Sequence, residues 1–292
     1  MKQGDLVVRK SYGGDMLFRV AAFAGQQAVL RGMDYRLLAD APMNDLQMVR
    51  NPDELGGTRQ ARLHADESLR RMNEARSRQT GLTGYLAQLE DRRQGYFEMP
   101  GKVLHLDGDL NYLNKSMQVY RQLRVPAEGV HCHESLMPQV LMRMLPQYHP
   151  DIVVITGHDG VLKQKQDLQQ LGSYKNSLNF VRAVGVARDY ERSRDSLVVV
   201  AGACQSHFEA LLQAGANFAS SPGRIMIHAL DPVYIAVRAS FTPFRDTINI
   251  ADVIANTISG RQGVGGIETM GRYRVGVPNL KAAAPESNVN IV

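Results

Sequence analysis

Apolar residues recur in three different patterns along the chain. In residues 1–50 they come in short strand-like runs: Asp5-Leu6-Val7-Val8-Arg9, Met16-Leu17-Phe18-Arg19-Val20 and Gln27-Ala28-Val29-Leu30-Arg31, with a further run near Leu46-Gln47-Met48-Val49. Gly13-Gly14 and Gly25-Gln26 supply the turns between them. Four or five short strands predict a small SH3-like β-barrel module that packs or docks.

Residues 51–100 follow a different rule. Pro52 and Gly56-Gly57 mark a boundary. Leu63, Leu69 and Met72, and later Leu82, Tyr85, Leu86 and Leu89, then recur at helical spacings. Nine arginines and seven acidic residues interleave between Arg50 and Arg93. That balance predicts a solvated helical connector, closed by Pro100-Gly101.

From Lys102 onward strand-like and helix-like runs alternate. Val103 to Leu106, Gly129 to Cys132, Ile152 to Ile155 and Leu197 to Val200 read as strands. Leu113 to Leu123, Leu136 to Leu145, Tyr174 to Val184, Phe208 to Ala214 and Ile248 to Ile258 read as helices. Pro146 and Pro150 are expected to close the second helix. Of the apolar segments Arg224 to His228 and Ile235 to Val237, the first is the better strand candidate. Such alternation predicts an α/β domain over residues 101–280, with a mainly parallel sheet flanked by helices. Residues 281–292 are expected to be a disordered tail.

Two of these strands end in reactive residues. Ile152-Val153-Val154-Ile155 leads into Thr156-Gly157-His158-Asp159-Gly160, and Leu197-Val198-Val199-Val200 leads into Ala201-Gly202-Ala203-Cys204-Gln205-Ser206-His207. Continuous β-branched runs are buried on both faces, as in parallel sheets. Function in such sheets sits outside the carboxyl ends of the strands. His158 and Cys204 are therefore expected side by side. A thiol attacks as thiolate, so Cys204 needs an imidazole or a helix N-terminus near it, and the helix after Cys204 is expected to help. The N–H of Cys204, with one from Asp159 or Gly160, could hold an oxyanion, and His158 could move the protons. Taken singly, a cysteine in an Ala-Gly-Ala setting or a histidine after a strand is more often structural. The joint pattern, with 204 − 158 = 46 residues between the two, is sharper.

The other candidates are weaker. His131-Cys132-His133-Glu134 has ligand-type residues, but neighbours on a strand alternate faces and no second cluster completes a tetrahedral site. No metal and no cofactor is expected. His207 is a rival base, three residues after Cys204. His105 and His228 sit in apolar runs and read as core histidines. Asp107 and Asp109 could be a phosphoacceptor or metal pair in a receiver-like fold, which would make the chain a non-proteolytic docking or nucleic-acid-binding module.

Composition narrows the class. The chain has 292 residues, 44% hydrophobic and 22% charged. No apolar run approaches the roughly 20 residues of a membrane helix. The start, Met1-Lys2-Gln3-Gly4-Asp5, has no signal-peptide h-region, so a cytoplasmic location is expected. Two cysteines make no disulfide framework. Net charge is +5, but the arginines are interleaved with acids, which argues against nucleic acid.

The His-then-Cys order and Ala203-Cys204-Gln205 resemble the caspase-like cysteine peptidases. Over nearly the whole chain the resemblance is closer. Gly4-Asp5-Leu6-Val7, Leu106-Asp107-Gly108-Asp109, Thr156-Gly157-His158-Asp159-Gly160, Gly202-Ala203-Cys204-Gln205-Ser206 and Gly265-Gly266-Ile267-Glu268-Thr269-Met270-Gly271 resemble the YabG family of sporulation-specific peptidases of spore-forming Firmicutes. The resemblance implies a protease of the mother cell that trims spore coat proteins after basic residues, chiefly Arg, with His158 and Cys204 as the catalytic dyad. Asp159 departs from the wider caspase-like pattern, in which a Gly commonly follows the His. In Arg-specific relatives an acid near the end of the first core strand, about 50 residues before the His, lines the S1 pocket. Asp107 is favoured for that role, with Asp109 as alternate. Asp109 could equally cap the following helix. Arg224 and Arg272, expected to be exposed, would be self-cleavage candidates.

Overall fold

The computed structural model describes residues 1–52, 55, 59, 63–74, 97–162 and 167–276. The first 50 residues form an antiparallel sheet of β1 (Leu6–Arg9), β2 (Phe18–Ala24), β3 (Gln27–Gly32), β4 (Leu38–Pro42) and β5 (Leu46–Met48), in the order β4-β3-β2-β1-β5. Val7, Phe18, Val20, Ala28, Leu30, Ala41 and Leu46 close its own small core. β4 carries little sequence signal because it is an edge strand with one buried residue and a proline at its end.

A helix, α1, spans residues 63–74. Met72 is buried against the main core and Leu69 packs beside it, so this part of the expected connector docks rather than standing free in solvent. The expected helical positions Leu82, Tyr85, Leu86 and Leu89, and the expected disordered tail 281–292, lie outside the described residues.

The main sheet contains β7 (Val103–Asp107), β8 (Ala127–His131), β9 (Ile152–Thr156), β10 (Val198–Ala201), β11 (Phe218–Ser220) and β13 (Val264–Gly266). Its order is β13-β11-β10-β9-β7-β8. The first five strands in chain order are parallel, and β13 runs antiparallel to β11 at the edge. Counted along the chain, the parallel part reads 2-1-3-4-5, a doubly wound order that reverses direction between β7 and β9. Two short antiparallel ribbons complete the β structure: β6 (Phe97–Met99) with β15 (Arg274–Gly276), and β12 (Thr247–Ile248) with β14 (Thr269–Met270).

Side chains alternate across this sheet and feed two cores. Val103, Ile152, Val154, Val198 and Val200 face a cluster with Val119 and Tyr120 of α2 (Leu110–Gln122), Val233 and Val237 of α6 (Asp231–Phe241), and Val253 of α7 (Ile250–Asn256). Leu104, Leu106, Val153, Ile155 and Val199 face the other, with Leu141 of α3 (Met137–Tyr148), Phe180 of α4 (Ser177–Tyr190) and Leu211 of α5 (Phe208–Ala214). A four-residue α8 (Gly260–Gly263) precedes β13. Among the described residues no helix is long and apolar enough to cross a membrane.

Two expectations are corrected, one for Pro146 and one for Arg224 to His228. Pro146 lies inside α3 instead of closing it. The carbonyl left without its usual donor belongs to Met142, an exposed residue where water can serve. Ile235 to Val237 is part of α6. The fifth parallel strand is the three-residue Phe218–Ser220, not Arg224 to His228. His228 instead makes an isolated antiparallel bridge with Tyr35 from the N-terminal sheet.

Candidate active site

Register brings the two reactive residues together. Ile155 of β9 pairs with Ala201 of β10, and His158 and Cys204 each follow three residues later. They therefore occupy equivalent positions on adjacent parallel strands. The Thr156 hydroxyl donates to the Gly202 carbonyl at 2.9 Å, tying the two strand ends. Gly202 has a φ of +108°, and a Cβ there would press on Leu211 and Ser220, so glycine is required. Asp107 pairs with Thr156 at the end of the next strand, β7.

Cys204 is buried. Its sulfur accepts the Ile227 N–H at 3.2 Å and lies 3.8 Å from the Ile227 carbonyl. The Arg36 N–H, whose hydrogen bond goes to the Ile227 carbonyl, is near enough to favour the thiolate. Burial pushes the thiol up to about 12, against the lowering pull of those N–H groups and the Arg36 guanidinium. The expected help from the helix dipole is absent, because α5 begins only at Phe208. The resting thiol is neutral. His207 caps α5 by accepting the Ala210 N–H on Nδ1, while its Nε2 lies 3.1 Å from the Gln169 carbonyl. Both ring nitrogens are thus engaged in holding local structure.

His158 is also buried. Its N–H donates to Glu134 Oε1 at 2.8 Å, and its carbonyl accepts from the Asn176 amide at 2.8 Å. Its Nε2 is 3.5 Å from Asp109 Oδ2, and its Nδ1 is 3.9 Å from Glu134 Oε1. Burial lowers its pKa, and the opposing carboxylates of Asp109 and Glu134 do not reverse the shift. No hydrogen bond joins its imidazole to Cys204 among the described residues.

Glu134 is the residue that the His131-Cys132-His133-Glu134 pattern obscured. Its carboxylate turns inward under His158. A Cβ at Gly108 or at Gly157 would overlap it, so the two glycines are the signal that could have found it. Its neighbours do other work. His133 Nδ1 accepts the Ser135 N–H, and the half-buried Cys132 thiol is raised to about 11 by desolvation and nearby carboxylates.

Asp159 joins the two loops. Oδ1 accepts from the Gly160 and Asn176 N–H groups at 2.9 and 2.7 Å. Oδ2 accepts the hydroxyls of Ser177 and Ser206. Burial raises its pKa despite these donors. The Gly160 N–H would have to leave Asp159 to serve an oxyanion.

Asp107 is fully buried and already paired. One terminal nitrogen of Arg36 sits 3.0 and 2.9 Å from its two oxygens, and the other donates to the Ala229 carbonyl at 3.0 Å. Burial would raise the Asp107 pKa, but Arg36 and the neighbouring His105 hold it below the ordinary carboxylate range. Asp109 caps α2 through the Asn111 and Tyr112 N–H groups and pairs with Arg31 at 2.9 Å. His105 meets the Tyr120 hydroxyl at 3.0 Å, and His228 accepts the Leu230 N–H, both inside the core. Arg224 is anchored on Tyr174 and Glu209, and Arg272 is buried. Neither has the exposure expected of a self-cleavage site.

Comparison with known proteins agrees along almost the whole length. A family model described as YabG peptidase U57 matches residues 2–278. The Sporulation-specific protease YabG of Bacillus subtilis (strain 168) is 45% identical over 281 residues, covering 94% of this chain and 97% of that relative. No solved structure matches. Because the match takes in the N-terminal sheet as well as both reactive loops, the chain belongs to the YabG peptidase U57 family.

Proposed function

We propose that the chain is a sporulation-specific cysteine endopeptidase of caspase-like fold, with an SH3-like N-terminal module, that cleaves spore coat proteins after arginine in the mother cell. The observation that carries this reading is the equivalent placement of His158 and Cys204 on adjacent parallel strands, with the buried Asp107 one strand further. The 2-1-3-4-5 order with an antiparallel sixth strand suits a caspase-like sheet.

In this reading the neutral His158 takes the Cys204 proton as the sulfur attacks the scissile carbonyl. A thiolate is not stored beforehand, because both groups are neutral at rest. The developing oxyanion takes the Cys204 N–H, with Asp159 or Gly160 as second donor. His158 then protonates the leaving amine, and the acyl group remains on sulfur as a thioester. Water gives a proton to His158, attacks the thioester and releases the acid and the thiol. Asp107 is the S1 acid, since a guanidinium pairs best with a buried carboxylate.

The same strand order serves receiver-like domains, which keeps a non-proteolytic docking module as the second reading. Wild type and Cys204→Ala are compared on fluorogenic peptides ending in Arg, Lys or Asp, and on spore coat extract. Cleavage after Arg by wild type alone is expected. Cleavage by Cys204→Ala equal to that by wild type would overturn the proposal.

A further inference from the structure

Arg36, the partner of Asp107, comes from the loop between β3 and β4. Its segment lies along residues 227–229 as an added strand. The Ala229 N–H donates to the Asp34 carbonyl at 2.8 Å, the Arg36 N–H donates to the Ile227 carbonyl at 3.2 Å, and Tyr35 bridges His228 between them. Main-chain pairing of this kind is how an extended peptide is held on a sheet edge, with side-chain pockets setting specificity. The residue in the pocket here is an arginine, its guanidinium on the buried Asp107 and its backbone paired to Ile227, whose own N–H meets the Cys204 sulfur. Neither Arg36 nor Asp107 has any exposed surface, so no second guanidinium can enter. After Arg36 the chain turns back, with the Leu37 N–H donating to the Tyr35 carbonyl at 2.7 Å. The loop is fastened from outside by Tyr112, whose hydroxyl meets the Gly32 and Tyr35 carbonyls, and by Lys115, which meets that of Met33.

We infer that Asp34-Tyr35-Arg36 is a built-in substrate mimic that fills the cleft, and that only the fraction of chains whose 33–37 loop has withdrawn is active, so that wild type works at a low basal rate. This rests on the peptidase reading above for what the cleft binds. The occlusion itself is a separate, testable fact. The N-terminal sheet then acts as an inhibitory module, and a substrate binds residues 227–229 in place of the loop.

The test is the rate at which iodoacetamide alkylates Cys204 in the full chain at fixed pH, followed by peptide mapping so that Cys132 does not interfere. Arg36→Met withdraws the mimic but leaves Asp107 without its counter-charge. Arg36→Met/Asp107→Asn removes both charges together, so no buried ion is stranded. Tyr112→Phe loosens the loop and leaves both charges in place. Alkylation at least tenfold faster than wild type is expected in the double variant and in Tyr112→Phe. Equal rates in wild type and both variants would overturn the inference. Peptidase activity on an Arg-ending peptide is read in parallel in Tyr112→Phe. Fast alkylation with no cleavage supports the occlusion and counts against the peptidase reading instead.

Discussion

The Ser206 hydroxyl donates to Asp159 Oδ2 at 2.8 Å, so the residue two beyond Cys204 is fastened to the residue next to His158. Register alone brings the two strands together, but the loops after them have no such constraint. Gln205 adopts a left-handed φ of 55°, a conformation that survives only where its surroundings enforce it. The Ser206–Asp159 bond and the Ser177–Asp159 bond are part of that enforcement.

Asp159 is therefore a positioning residue. Asp159→Ala should lower kcat on Arg peptides by about 10²-fold with little change in KM, since loss of loop geometry acts on the chemical step. Asp159→Asn keeps an oxygen for the Gly160 and Asn176 N–H groups and should recover part of the rate. An Asp159→Ala enzyme with unchanged kcat, or a loss confined to KM, would remove this role.

The acid limb of kcat/KM tests the state of His158. Its pKa is lowered by burial, so the neutral base persists below the ordinary histidine value of about 6.5. The acid limb should therefore lie below pH 6.5. Glu134→Gln preserves an acceptor for the His158 N–H but deletes a charge that favours the imidazolium. The limb should move still lower in that variant. A limb above 6.5 in wild type, or a shift upward in Glu134→Gln, contradicts this electrostatic account.

How much of this was legible in the sequence depends on whether the signal was local. His158 and Cys204 stood out because each ends a β-branched run closed by glycine, and parallel pairing did the rest. Asp109 could be read equally as cap or specificity acid, and the structure gives it a cap's contacts. The place of Glu134 under His158, and Arg36 altogether, were invisible for the same physical reason. Each is a charge made tolerable by a distant partner, Arg36 by Asp107 at a separation of 71 residues, and no nearby periodicity records such a pairing. The strand Phe218–Ser220 was too short to show a period, while the longer apolar run after it turned into the edge that pairs with Tyr35.

Asp107 offers a substitution pair whose members should differ. Asp107→Ala strands the Arg36 guanidinium in the core, which typically costs about 3–5 kcal/mol. Asp107→Asn keeps the shape and an acceptor oxygen and should cost clearly less, yet remove the charge proposed to select arginine. Urea unfolding should rank the two, and kcat/KM on Arg peptides should fall by orders of magnitude in Asp107→Asn. Full activity after Arg in a well-folded Asp107→Asn would take the S1 assignment away.

Asp231 gives a pH test that leaves the reactive residues untouched. It is fully buried at the start of α6 and accepts the Ile258 and Ser259 N–H groups at 2.7 and 3.2 Å. The Ser259 hydroxyl in turn accepts the His228 N–H at 2.8 Å, so this carboxylate supports the edge that Tyr35 pairs with. Desolvation raises its pKa from 3.8 to about 6. A folded-state value above the unfolded one means that the native state binds the proton more readily. The resulting stability is complete below pH 4 and is lost as pH rises through 6. The shift corresponds to on the order of 3 kcal/mol. Asp231→Asn cannot titrate, although it loses one acceptor at every pH. The stability of wild type minus that of Asp231→Asn, from urea midpoints, should therefore be larger at pH 4.5 than at pH 7.5. Taking the difference cancels the other carboxylates, such as Asp107, whose lowered pKa makes them act in the opposite direction. A difference that stays flat or grows toward pH 7.5 would mean that Asp231 is already ionised in the folded chain at acidic pH, and that its N–H donors outweigh its burial.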